Sequence, residues 1–123
     1  MQSSEQTMTQ YRTLSAIVDN IDRLKAVYKG DLEFGDRLVV TTRNSTYFIH
    51  VFEGDRYTVT GGWFDLHDLS PVNMAINGCT WGGRAIKEDI LAACGLHLEF
   101  GNNVVTSRIL RFQVIRCRGK SIH

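Results

Sequence analysis

Three groups of residues carry whatever chemistry this chain can do. The first is the stretch "INGCTWGGRAIK", residues 76–87, which sets Cys79 and Trp81 beside Gly82, Gly83 and Arg84. A Gly-Gly pair after a polar loop can turn successive backbone N–H groups toward an anion, with Arg84 and Lys87 adding positive charge. The Gly-Lys-Ser/Thr ending of a Walker A loop is missing, however, and so is the strand–GxGxxG–helix setting of a dinucleotide fold. The plainer reading is a tight corner, with glycines at positive φ or at close backbone approaches and Trp81 filling one end of the fold. As a nucleophile, Cys79 needs a base, for which His50, His67 and His97 are the candidates, and a lowered pKa. Spacing brings none of these imidazoles near it, so the expectation is an inert, buried thiol.

The second group is Cys94 and His97, three apart in "CGLH". The second half of a zinc site, another Cys-x-x-Cys or His-x-x-x-His, is absent, and neither metal nor cofactor is expected. If Leu96 and Leu98 face inward, His97 points the other way. The third group is Arg108, Arg111 and Arg116, with Arg118 and Lys120 behind them. Small β folds present nucleic-acid bases to aromatic side chains such as Trp63, Tyr57 or Phe48, and arginines meet the phosphates. On a regular strand Arg108 and Arg111, an odd number apart, face opposite sides, which weakens that reading.

These residues belong to a chain of 123 residues, enough for one domain with a modest core. Lys plus Arg total 14 and Asp plus Glu 13, a net charge of +1, which excludes the global positive field of a dedicated polyanion binder. No apolar run approaches the ~20 residues of a membrane helix, and "MQSSEQTMTQ" lacks the basic and apolar regions of an export signal. Three widely spaced cysteines, Cys79, Cys94 and Cys117, read as reduced thiols. A cytoplasmic protein without membrane contact is expected. By the same reasoning, "NST" at Asn44 reads as a turn rather than a glycosylation site.

Beyond a polar lead-in at 1–10, Tyr11, Leu14, Ile17, Ile21, Leu24 and Tyr28 recur every three or four residues. This spacing predicts an amphipathic helix over 11–29, with Thr9 as N-cap and Gly30 as C-cap. The same seam is heptad-like, so Leu14, Ile17, Ile21, Leu24 and Tyr28 are also the candidate interface of a homo-oligomer. After Gly30 the period becomes two. The segments 36–44, 46–52 and 56–64 predict a three-stranded antiparallel meander, with "RNST" and "EGDR" as turns. In the second strand both faces are rich in aromatics, as when something covers each face, and the helix is one candidate cover. Residues 65–75, holding the only proline, read as a loop; "LHLEF" (96–100), "GNN" and 104–116 read as a final hairpin.

The segments "GDRLVVTTRNSTYFIHV", "GGWF", "GCTWGG" with its following "IK", and "LEFGNNVVTS" together resemble a family of small bacterial β-domain proteins with no established activity. The resemblance spans residues 35–107 and leaves the helix outside. It implies a bacterial origin and a compact β domain, and it carries over no catalytic residues.

The expected fold is thus mainly β: the helix 11–29, a β region over 36–116 forming a small antiparallel, SH3-like or partly open barrel of five to six strands, with an open sheet crossed by the helix as the alternative, and a basic tail at 117–123. The expected function is a non-enzymatic binding or assembly module that associates with itself. A nucleic-acid-binding barrel is the second reading, and a thiol-dependent enzyme or ligand pocket near Cys79 and Trp81 the third.

Overall fold

A computed structural model describes residues 26–81 and 85–117. The period-two pattern is realised where it was longest. Strands β2 (Arg37–Thr42), β3 (Thr46–Val51) and β4 (Tyr57–Gly61) form the expected meander. Leu38, Val40 and Thr42, then Tyr47, Ile49 and Val51, then Tyr57 and Val59 all point into the core. The β3–β4 connection is a tight hairpin. Its two central residues, Gly54 (φ 60°) and Asp55 (φ 63°), both take the left-handed φ that a type I′ turn demands.

After β4 the chain departs from the expected strand 56–64. Gly61 (φ 106°) and Gly62 (φ 48°) break the extended run and start a short helix, α1 (Gly62–Leu66). A side chain at Gly61 would meet the Thr46 carbonyl, and one at Gly62 the Tyr47 ring, so only glycine fits this corner. The turn drives Phe64 into the core, edge-on to Phe100 at 4.8 Å. The expected loop 65–75 then contains an edge strand, β5 (Val72–Met74), paired with β4.

The remaining strands are β6 (Ile76–Thr80), β7 (Ile86–Lys87), β8 (Ile90–Ala93), β9 (His97–Phe100) and β10 (Val105–Ile115). Eight strands make one antiparallel sheet in the order β5-β4-β3-β2-β10-β9-β6-β7. β5 lies at one edge and β6 next to the other, yet Ala75 alone separates them in the chain. The sheet must therefore curl until its ends approach, but no ladder closes it among the described residues. Its concave side holds the core, including Leu38, Ile49, Leu98, Phe100 and Ile109. The all-buried β8 packs against β6, β9 and β10 on that side.

Two expectations are corrected. In place of a barrel of five to six strands, the described residues form ten strands in two sheets, because strands of two to four residues are too short to show a period. The C-terminal end of the predicted helix 11–29 is β1 (Ala26–Tyr28), paired antiparallel with β8, followed by a 3-10 turn at Lys29–Asp31. Val27, 1% exposed, is required in the core, and that pairing overrides the helical spacing. Gly30 sits in the 3-10 turn and caps no α-helix. The rest of the predicted helix, with Leu14, Ile17, Ile21 and Leu24, lies outside the described residues; Tyr28 is exposed on β1.

Candidate functional site

The alternation that fills the core leaves a second face on β3, β2 and β10, and the register settles its composition. One row across it runs Thr60, Phe48, Val39, Gln113, and the next runs Thr58, His50, Arg37, Ile115. Thr41 and Arg111 are opposite each other in a third row. Phe48 is 51% exposed and Ile115 40%. The aromatic strip continues off the end of β3, where His50 lies 5.4 Å from Phe52, and Phe52 stacks on the exposed Phe34 at 5.8 Å. A sheet face with this much aromatic surface in water is uncommon unless it meets something.

The charge on this face is one-sided. None of β2, β3, β4, β5 or β10 contains an Asp or Glu, whereas β2 and β10 contribute Arg37, Arg108 and Arg111. All three guanidinium groups are free of ion pairs and side-chain hydrogen bonds among the described residues. Arg108 and Arg111 do not face opposite sides as a regular strand would require. The register of β10 shifts between Val105 and Arg108 and again between Ile109 and Arg111, so Ile109 and Phe112 both point inward. A bulge adds one residue and resets the alternation, which leaves Arg108, Leu110 and Arg111 all exposed.

Arg116 is spent differently. Its guanidinium donates to the buried Asp36 carboxylate at 3.0 Å and to the Asp31 carbonyl at 2.6 Å. Asp36 also accepts from the backbone N–H of Glu33 and of Cys117, both at 2.9 Å, tying the end of β10 to the start of β2. Arg116 is thus a structural clamp.

The other candidate residues do not converge. Cys79 on β6 is fully buried, and its Sγ donates to the Leu91 carbonyl at 3.7 Å. Burial pushes this thiol up to about 12, outweighing the lowering by a backbone hydrogen bond at Ala93 and by the Lys29 ammonium. A thiol so placed is not a thiolate near neutral pH. Trp81 is 61% exposed rather than filling an end of the fold, with Lys87 Nζ 5.7 Å from its ring centroid. Trp63 is half-buried on α1, where it stacks on His67 at 3.9 Å. Gly82, Gly83 and Arg84 lie outside the described residues. The corner itself rests on Gly78 (φ 138°), where any Cβ would strike the Lys87 carbonyl. His97 Nδ1 donates to the Thr106 carbonyl at 2.9 Å, and the residue lies between the buried Leu96 and Leu98.

An open cleft of about 280 Å³ is lined by Lys29, Asp55, Ile76, Asn77, Ile86 and Glu88. Its central cation is already engaged: Lys29 Nζ donates to the Ile76 carbonyl at 2.6 Å and pairs with Asp55 at 3.2 Å. Asn77 is committed to Glu99 at 2.8 Å. The sheet face, by contrast, keeps its cations and aromatics unspent.

Comparison of the chain with protein-family models, with curated proteins and with solved structures finds no match. From the sequence, Phe48, Arg108 and Arg111 stand out as contacts, and His50 and Phe52 share the aromatic face of Phe48, whereas Arg37, Phe34 and Ile115 carry no such signal. The aromatics on both faces of β3 were the available signal.

Proposed function

We propose that this protein is a non-catalytic binding module whose contact surface is the solvent-side face of β3, β2 and β10. The observation that carries the reading is the combination on that face of exposed Phe48, Phe34 and Ile115 with Arg37, Arg108 and Arg111, which are unpaired among the described residues. Large apolar side chains in water gain free energy by being covered, and the core already takes the inward half of the same strands. The thiol-dependent alternative loses support because the Cys79 sulfur is buried and held protonated. Self-association through the helical seam lost Tyr28 to β1, so the sheet face is the better candidate for any assembly as well.

The test is the mass of the purified chain by light scattering, with its absorbance at the nucleic-acid maximum read alongside, for the wild type and for Phe48→Glu. The expected wild type either exceeds the 13.9 kDa of one chain or carries a bound ligand. Phe48→Glu should return it to a bare monomer with its unfolding midpoint little changed, because Phe48 points away from the core. A bare wild-type monomer, or an assembly indifferent to Phe48→Glu, contradicts the reading.

A further inference from the structure

We infer that the ligand of this face is single-stranded nucleic acid, with a base stacked on Phe48 and the backbone phosphates held by Arg37, Arg108 and Arg111. The inference rests on the binding-face reading above and adds the chemistry of the partner.

Charge complementarity is the first argument. The whole chain is nearly neutral, at +1, but its charges are segregated. The strands of this face carry arginines and no carboxylate, so the local field attracts a polyanion even though the global one does not. Asp36, just before β2, is buried and paired with Arg116, and the exposed Glu33 and Glu53 lie outside these strands, next to Phe34 and Phe52. A second copy of the chain would have to set these unpaired arginines against the same arginines or dehydrate them without a counter-charge, which disfavours a face-to-face dimer.

Geometry is the second. Four residues along β2 separate Arg37 from Thr41, and Arg111 lies across the ladder from Thr41. At ~3.3 Å per residue and ~4.8 Å per strand, the two arginine backbones are ~14 Å apart. Phe48, opposite Val39, lies between them along the strand direction. Cations on both sides of an exposed ring suit a strand whose phosphates flank a stacked base. His50 and the Phe52–Phe34 stack extend the platform for further bases, while Thr41, Thr58, Thr60 and Gln113 supply neutral polar groups at its edges. A duplex is the poorer fit, since its bases are already stacked and offer no face to Phe48.

The experiment is fluorescence anisotropy of labelled oligo-uridine and oligo-thymidine, each about ten nucleotides long, titrated with the full chain over about 50–200 mM salt. Binding of either strand supports the inference, and their ratio reports whether the 2′-hydroxyl is read. With three phosphate contacts, the slope of log affinity against log salt should be about −2, and Arg111→Ala should reduce its magnitude by about 0.7. Phe48→Ser should weaken binding about ten-fold with the slope unchanged. Trp81→Ala should bind as wild type. No binding at the lowest salt, or binding indifferent to Phe48→Ser, overturns the inference. If oligonucleotides fail while Phe48→Glu still dissolves an assembly, the ligand assignment falls and the binding face stands; if both fail, both fall.

Discussion

Replacing Asp36 with alanine should destabilise the fold by about 3 kcal/mol. The carboxylate is 3% exposed and accepts from three donors: the Glu33 N–H, the Cys117 N–H and the Arg116 guanidinium. Removing one partner of a buried, hydrogen-bonded ion pair costs about 3–5 kcal/mol, because the other charge is left without compensation. Here the lower end applies. Arg116 keeps the Asp31 carbonyl and its side chain is 19% exposed, so water relieves part of its loss. Urea unfolding followed by tryptophan fluorescence reads the effect: with a slope of about 1.5 kcal/mol/M, the midpoint should fall by about 2 M. Arg116→Ala should cost less, since Asp36 retains its two backbone donors, and the double variant should show a coupling of at least about 1 kcal/mol. A shift below about 0.5 M for Asp36→Ala would refute the clamp and return Arg116 to the pool of cations free for a ligand.

Two further outcomes follow from the corner around Cys79. Its thiol titrates near 9 when unfolded and is pushed up to about 12 by burial in the fold, so the unfolded state loses the proton first. Stability should therefore decline by up to about 1.4 kcal/mol per pH unit between those values, and Cys79→Ala should remove that component from pH-dependent urea titrations. Tyr57, whose burial and Asp55 neighbour also keep it protonated, adds a decline in the same direction above its ordinary pKa. Gly78→Ala should lower stability by more than about 2 kcal/mol in thermal unfolding, because it combines a strained φ with a backbone clash against Lys87.

The strands that could be read from the sequence are those where alternation runs long enough to stand out. Leu38 and Val40, Tyr47 and Ile49, and Leu98 and Phe100 each share one phase of a period-two alternation, and all six are buried. The β-bulges of β10 were not legible, because a bulge leaves no periodic trace beyond an apparent phase error. That hid the shared exposure of Arg108 and Arg111. The end of the predicted helix failed for a different reason. Tyr28 continues the helical spacing while Val27 suits a buried strand, and only the pairing of Val27 with Ala92, far along the chain, decides. The binding face was half visible: Phe48 and His50 announce a second apolar face on β3, but its arginines arrive from β2 and β10, which are adjacent only in the folded sheet.

The most direct test of the central claim is a map of amide chemical-shift changes on adding oligo-uridine to the labelled chain. The changes should cluster on Arg37–Thr41, Phe48–His50 and Arg111–Ile115 while Asn77–Trp81 stays still. Changes centred instead on Asn77–Trp81 and the Lys29 cleft would contradict it and move the functional site to the opposite end of the sheet order.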